Sequence, residues 1–199
     1  MPEVVGIVLA AGAGRRMGRP KALVDDAAGS WLVRAVDALA AAGCAPVLVV
    51  LGAAAEQARA LLADARPGAA GAEVRVVIAT DWAEGMGASL RAGLRAAQDS
   101  TAAAALITLV DLPDVGAEVM ARLLDRPEGA GSGDDAERVL ARAAYRGVPG
   151  HPVLIGRAHW PAASDAATGD RGARALFTRT EHELVECGDL AGGVDVDTR

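Results

Sequence analysis

The stretch VVGIVLAAGAGRRMGRPK, residues 4–21, decides the fold class. It begins with Val4–Ala10, a continuous apolar run with β-branched members, which is typical of a strand buried on both faces of a parallel sheet. Three glycines, three arginines and a lysine follow within residues 12–21. Glycines let backbone N–H groups approach an anion, and open parallel sheets bind ligands beyond the carboxyl ends of their strands. The stretch predicts a buried first strand and a turn whose positive charge suits a triphosphate.

This turn matches neither of the two familiar glycine loops. A dinucleotide fingerprint would need glycine at position 17, where Met17 stands. A P-loop would need Gly-Lys-Ser/Thr, whereas Lys21 lies three residues past Gly18 and precedes an alanine. What remains is a long basic glycine-rich loop, with a solvated basic turn as the alternative interpretation.

After this stretch, continuous apolar runs alternate with segments whose apolar residues recur at helical spacing. The sequence predicts helices at Trp31–Ala42, Glu56–Ala63, Ala88–Ala97 and Ala117–Leu124, and strands at Pro46–Leu51, Glu73–Ala79 and Ala103–Val110. A surface loop is expected at Arg126–Asp135, followed by strands Val139–Tyr145, Val153–Ile155 and Leu184–Glu186 and a helix near Ala173–Thr178. This order favours an α/β fold, with one Rossmann-like, doubly wound, mostly parallel sheet in a three-layer αβα arrangement.

Length and composition limit the function classes. The 199 residues, of which 52% are hydrophobic, suit one domain over residues 1–199. A formal net charge of −6 argues against binding a nucleic-acid backbone. No run of about 18 uncharged apolar residues and no basic leader appears, so we expect a cytoplasmic protein with no membrane partner. Cys44 and Cys187 lie far apart, which predicts buried, inert thiols.

Five further motifs follow in order. They are WAEGMGASL (82–90), VDLP (110–113), GVPGHPVL (147–154), GDRGAR (169–174) and DVDT (195–198). The string LAAGAGRRMGRPKAL (9–23) resembles the signature of sugar-phosphate and cofactor nucleotidyltransferases. The ordered set resembles the molybdenum cofactor cytidylyltransferase/guanylyltransferase-like branch of the NTP transferase superfamily. This resemblance implies a fold of the nucleotide-diphospho-sugar transferase (GT-A-like) type.

Aspartates are the candidate metal ligands. Asp111 directly follows an apolar strand, so its carboxylate is expected at the sheet edge, where Mg²⁺ could bridge it to phosphate oxygens. A helix N-cap before Pro113 is the alternative role. The resemblance implies Asp197 as the second carboxylate, with Asp195 as the nearby competitor.

The resemblance also distributes the other site residues between two substrates. The residues expected to bind the nucleotide are Leu9, Ala10, Ala11, Gly12, Gly14, Arg16, Lys21 and Ser89. The residues expected to bind the acceptor are Gly150, His151, Gly169, Asp170 and Arg171. Simpler roles stay open: a capping serine at a helix start, a structural histidine in a rigid turn, and a salt-bridged surface loop.

The resulting expectation is a Mg²⁺-dependent enzyme that transfers NMP from CTP or GTP to the phosphate of molybdopterin or its molybdenum-loaded form. Arg16, Lys21 and Asp111 are the expected catalytic residues. Three alternatives remain: another phosphorylated acceptor such as a sugar phosphate, an oxidoreductase using NAD(P)H or a flavin on the same fold, and a noncatalytic module that delivers a cofactor to a molybdoenzyme.

Overall fold

A computed structural model describes residues 3–68, 71–125 and 134–197. The strands are β1 (Val4–Leu9), β2 (Asp25–Asp26), β3 (Gly29–Ser30), β4 (Val47–Leu51), β5 (Val74–Ile78), β6 (Ala104–Leu109), β7 (Leu140–Tyr145), β8 (Val148–Gly156) and β9 (Glu183–Glu186). The α-helices are α1 (Trp31–Ala41), α2 (Ala55–Ala65), α3 (Met86–Ala97), α4 (Ala117–Leu124), α5 (Asp134–Arg138), α6 (Trp160–Ala166) and α7 (Arg174–Arg179).

One seven-stranded sheet organises the molecule, in the order β5-β4-β1-β6-β8-β7-β9. The apolar run that opens the sequence is a central strand, paired in parallel with β4 and β6. Strand β8 runs antiparallel to both β6 and β7, and β9 is parallel to β7. The sheet is therefore mixed but mostly parallel, and the predicted α/β fold class is confirmed. The later strands complete the same sheet, as the sequence predicts.

Helices pack on both faces of this sheet and divide the core into two layers. One layer buries side chains of α1, α2 and α4 against the sheet, and the other buries those of α3, α6 and α7. Alanine, valine and leucine fill most of both layers. Cys44 and Cys187 are buried free thiols, and burial raises the pKa of Cys44 to about 12, as expected for inert core residues. Among the described helices, none is long and apolar enough to span a membrane.

The structure corrects three local predictions. The expected strand Val153–Ile155 is the end of the longer β8, so residues 148–152 of the GVPGHP motif lie in a strand instead of a turn before one. Helix α6 and the short β2–β3 hairpin were not predicted. Residues 126–133 of the expected surface loop lie outside the described residues, whereas Asp134 and Asp135 belong to α5.

Candidate active site

The glycine-rich loop after β1 forms one side of an open cleft of about 730 Å³, called here the loop cleft. The opposite side consists of Trp82–Met86 and Ser89, and the carboxyl end of β6 lies at the base. All eight residues predicted to bind the nucleotide line this cleft. Gly14 is required for the loop's shape, because its φ is +61° and a Cβ there would lie 1.8 Å from the carbonyl oxygen of Arg19.

Ser89 lies in the first turn of α3 and is nearly fully buried at the edge of the loop cleft. The alternative capping role is not what the structure shows, because the N-cap residue is Gly85 and no side chain caps this helix. Ser89 therefore contributes to the wall of the cleft beside the N–H groups of the helix start.

Three carboxylates meet where the loop cleft reaches the sheet edge. Asp111 follows β6, and the backbone N–H of Val196 donates to the Asp111 carbonyl at 3.0 Å, which holds the segment carrying Asp195 and Asp197 beside it. One carboxylate oxygen from each aspartate lies within 4.8 Å of the others. The sequence predicts Asp111 and Asp197 and treats Asp195 as a competitor, whereas the structure brings all three together.

Two cations of the glycine-rich loop bind these carboxylates. Lys21 Nζ donates to Asp111 Oδ2 and to Asp197 Oδ1, each at 2.6 Å, and Arg16 Nη1 donates to Asp197 Oδ2 at 2.5 Å. Burial acts to lower the pKa of Lys21, but the hydrogen bonds and charges of Asp111 and Asp197 outweigh it and raise that pKa. The hydrogen bond from Lys21 lowers the pKa of Asp197. Lys21 is therefore positive and Asp197 negative at neutral pH.

The donor set suits a hard divalent cation. The Oδ1 atom of Asp111 is buried and accepts no hydrogen bond from the described residues, although its partner atom Oδ2 is occupied by Lys21. Mg²⁺ and similar ions take carboxylate oxygens and keep several waters and phosphate oxygens, so two or three aspartates are enough. The alternative role of Asp111 as a helix cap is excluded, because α4 begins at Ala117 with Gly116 as its N-cap.

A second cleft of about 700 Å³, called here the strand cleft, lies beside β7 and β8. Of the residues predicted to bind the acceptor, Gly150, His151, Asp170 and Arg171 line it. Gly169 does not line it and instead packs against Gly85. Five residues line both clefts, so the two spaces adjoin; they are Met86, Leu109, Asp170, Arg174 and Asp195.

His151 is half-buried in β8, and the Tyr145 hydroxyl donates to its backbone carbonyl at 2.7 Å. Burial, together with the positive charges of Arg142 and Arg174, lowers the pKa of the imidazole to about 4. The ring is therefore neutral at pH 7 and can donate or accept a hydrogen bond at the strand cleft.

Sequence reasoning missed Arg142, which projects into the strand cleft from β7. Its guanidinium lies 5.2 Å from the centroid of the Phe177 ring and donates to the carbonyl of Gly150. Burial and the neighbouring charge of Arg174 lower the pKa of Arg142. The sequence signal for Arg142 is an arginine inside the otherwise apolar run Leu140–Tyr145. Burying a charge there costs free energy unless the side chain has a polar partner or binds a ligand.

The MobA-like NTP transferase domain matches residues 6–184. This chain belongs to that family. Membership places it in the nucleotidyltransferase superfamily, in agreement with the resemblance that the sequence motifs carry. The family match spans the glycine-rich loop, Asp111 and the strand cleft, and it ends before Asp195 and Asp197.

The chain is similar to proteins with different names. It is 38% identical to the nicotine blue oxidoreductase of Paenarthrobacter nicotinovorans, over 100% of this chain and 94% of that protein. Among solved structures, Rv0371c of Mycobacterium tuberculosis H37Rv has a TM-score of 0.72 at 27% identity, covering 99% of this chain and 93% of that chain. A manganese complex of Rv0371c has a TM-score of 0.67 at 26% identity and covers 98% and 94% of the two chains.

A more distant structure supports the fold alone. The 4-diphosphocytidyl-2C-methyl-D-erythritol synthase of Anaerococcus prevotii has a TM-score of 0.72 at 13% identity, over 100% of this chain and 92% of that chain.

Proposed function

We propose that the protein is a Mg²⁺-dependent nucleotidyltransferase that moves NMP from CTP or GTP to the phosphate of molybdopterin or the molybdenum cofactor. The observation that carries this proposal is the position of the aspartate cluster. Asp111 and Asp197 line the loop cleft, and Asp195 lines both clefts, so the cluster lies where two bound substrates would meet. Reactions of this class depend on such positioning and on neutralised charge.

The loop cleft suits the triphosphate. Backbone N–H groups of Gly12–Gly14 and the side chains of Arg16 and Lys21 border it, and these are donors that bind phosphate oxygens well. In the structure both cations neutralise aspartates. The aspartates would hold the metal ion, which when bound supplies positive charge to the phosphate oxygens. Lys21 and Arg16 would then bind the phosphate oxygens from the same side of the cleft.

The strand cleft suits an anionic acceptor with a ring. Arg142 and Arg174 face it without an ion pair to any carboxylate in the described part of the chain. Each arginine raises the electrostatic cost of the other, and a phosphate placed between them would relieve that cost. Tyr145, Phe177 and the exposed Val148 add apolar surface for a ring system.

The proposed chemistry needs no protein nucleophile. An oxygen of the acceptor phosphate forms a bond to the α-phosphorus of the NTP, the bond from that phosphorus to the bridging oxygen breaks, and pyrophosphate leaves with the electron pair. The protein's residues orient the two phosphates and stabilise the developing charge, which is the main contribution in phosphoryl-transfer catalysis.

A screen for pyrophosphate release tests the proposal. Four NTPs are combined with molybdopterin, with several sugar phosphates or with no acceptor, in the presence of Mg²⁺. Release with CTP or GTP that depends on molybdopterin supports the proposal. Release that depends on a sugar phosphate would change the acceptor but keep the reaction class, and absence of release under all conditions would contradict the enzyme activity.

Oxidoreductase activity is the second candidate, because the relative at 38% identity over the whole chain is a nicotine blue oxidoreductase. The loop cleft could hold a nucleotide cofactor instead of a nucleotide substrate. Reduction of nicotine blue with NADH or NADPH, followed by the loss of cofactor absorbance, would support this candidate. Such activity should survive removal of divalent cations by EDTA, whereas nucleotidyl transfer should not.

A further inference from the structure

Two segments, residues 81–87 and 167–172, lie where the loop cleft meets the strand cleft, and one residue of each, Met86 and Asp170, lines both clefts. The two segments together are called here the shared wall. These two segments pack backbone to backbone at two glycines. A Cβ at Gly85 would lie 2.6 Å from Gly169 C and from Asp170 Oδ1, and a Cβ at Gly87 would lie 2.6 Å from the carbonyl oxygen of Ala167. Because Met86 and Asp170 border both clefts, a shift of the shared wall changes both clefts at once.

Arg91 binds both segments of this shared wall from a position outside the two clefts. It belongs to α3 and lines neither cleft. Its Nη2 donates to Asp81 at 3.0 Å and to Glu84 at 2.8 Å, and these carboxylates flank the wall residues Trp82 and Ala83. Its Nη1 donates to the carbonyl of Ala167 at 2.7 Å. One guanidinium therefore connects both segments of the shared wall.

We propose that Arg91 is a positioning residue that fixes the shared wall and thereby sets the geometry between the two substrates. The planar guanidinium of Arg91 spreads its donors over two nitrogens, Nη1 towards Ala167 and Nη2 towards the two carboxylates, whereas a lysine ammonium offers all its donors from a single point. Without Arg91, Asp81 and Glu84 would be two like charges at the ends of one short turn, and Ala167 would lose its donor. The effect of Arg91 on turnover rests on the proposed function, whereas its effect on the wall does not.

Stability and catalysis should respond to Arg91 by different amounts. Ion pairs at partly exposed positions contribute little to folding, and Glu84 and Asp81 are 64% and 42% exposed. A misplacement of about 1 Å remote from the chemistry can lower turnover by about 100-fold. A positioning role therefore predicts a large kinetic effect with a small change in the midpoint of thermal unfolding.

Hydrogen exchange of the ligand-free protein tests the structural part. Arg91→Met should raise exchange rates of backbone amides in both segments of the wall by about tenfold, since exchange reports local opening. Asp81→Asn keeps the bond to Ala167, so its effect should be confined to residues 81–87. Arg34→Met is the matched control: Arg34 is 29% exposed, similar to Arg91 at 27%, and pairs with Asp26 outside both clefts. Unchanged exchange in Arg91→Met would overturn the inference.

Kinetics test the functional part with the nucleotide and acceptor that support turnover of the wild type. Arg91→Met should lower kcat by about 100-fold and raise KM for both substrates, and Arg91→Lys should recover only part of this loss. Arg34→Met should keep both constants. Wild-type kcat and KM in Arg91→Met would contradict the positioning role. If the wild type itself releases no pyrophosphate, the proposed function fails, and the exchange measurement alone decides the role of Arg91.

Discussion

At the scale of single residues, the site is a cluster of opposite charges that neutralise one another. Lys21 is only 16% exposed and lies between Asp111 and Asp197, whereas Arg16 is 77% exposed and pairs with one of the described carboxylates, that of Asp197. Removing Lys21 leaves two carboxylates that repel each other, one of them mostly buried. Removing Arg16 leaves a carboxylate that water can still solvate. The two cations should therefore differ in their effect on folding.

We predict that Lys21→Ala lowers the free energy of unfolding by about 1–3 kcal/mol, the usual cost of an unpaired charged group in a partly buried place. Arg16→Ala should change it by much less. Added Mg²⁺ should restore stability to Lys21→Ala, because a ligand that binds only the folded state stabilises it.

Both variants should lower turnover by about two to three decades. Denaturant titrations with and without Mg²⁺ and pyrophosphate assays check these effects, and equal stability losses would contradict the described ion pairs.

We predict that Asp111→Asn abolishes Mg²⁺-dependent turnover and that Asp197→Asn weakens it with a shift in the Mg²⁺ concentration for half activity. An amide keeps the shape but loses the charge that a hard cation requires. Calorimetry with Mg²⁺ and a nonhydrolysable NTP measures the binding directly. Asp189→Asn is the control, since Asp189 pairs with Arg122 and lines neither cleft. Wild-type metal binding by Asp111→Asn would remove the aspartate from the metal site.

His151 should make stability depend on pH. The folded protein keeps the imidazole neutral down to about pH 4, whereas the unfolded chain binds a proton below about pH 6.5. The unfolded state therefore binds more protons in this window, and the free energy of unfolding should fall as pH drops from about 6.5 to about 5, by at most about 1.4 kcal/mol per pH unit. His151→Gln should flatten this slope, and His182→Gln, with His151 intact, should keep it. An unchanged slope in His151→Gln would show that the ring titrates normally.

At the scale of elements, the sequence predicts best where one hydrophobic pattern, either a continuous apolar run or helical spacing, extends through the whole element. The run Val4–Ala10 and the helix Trp31–Ala42 appear within a residue or two of their expected bounds. The turn predicted for the GVPGHP motif was wrong. Its prolines and glycines favour a turn, but Val148–Gly156 is a strand because its antiparallel pairings with β6 and β7 outweigh this local preference. Helix α6 was not predicted because WPAASDA is only seven residues long and contains a proline, so it shows no full helical period of apolar residues.

The C-terminal segment that carries Asp195 and Asp197 depends on one glycine. Gly193 has φ of +62°, a Cβ there would lie 2.1 Å from the Tyr145 ring, and its N–H donates to Asp114. Gly193→Ala should move the segment away from the sheet, raise the Mg²⁺ concentration for half activity, and lower the free energy of unfolding by about 1 kcal/mol or more.

Gly116→Ala is the control for this change. A Cβ at Gly116 meets nothing within 4 Å, so this variant should lose only the stability that alanine costs at the N-cap of α4, about 1 kcal/mol, and should keep its metal dependence. Equal metal dependence of Gly193→Ala and the wild type would show that the segment does not position the aspartates.

At the scale of the whole molecule, the fold class follows from sequence, and so does the gathering of the eight predicted nucleotide-site residues at one cleft, because parallel strands bring their carboxyl ends to one edge of the sheet. The strand cleft does not follow in the same way. It forms between β7, β8 and the segment after α6, whose contacts join residues distant in sequence, and so Arg142 was missed. The meeting of Asp195 with Asp111 likewise depends on contacts between residues distant in sequence, among them the N–H bonds from Val196 to the Asp111 carbonyl and from Gly193 to the Asp114 carboxylate.

The proposed nucleotidyl transfer joins two substrates held in clefts that meet at the aspartate cluster, and the fate of the α-phosphate reports whether it occurs. CTP and GTP labelled at the α-phosphorus are incubated with molybdopterin, Mg²⁺ and either the wild type or Asp111→Asn, and the products are separated. The proposed transfer predicts label covalently attached to molybdopterin, with one pyrophosphate released per transfer, in the wild type only. Label that stays in the NTP, appears only as free NMP, or is transferred equally by Asp111→Asn would contradict it.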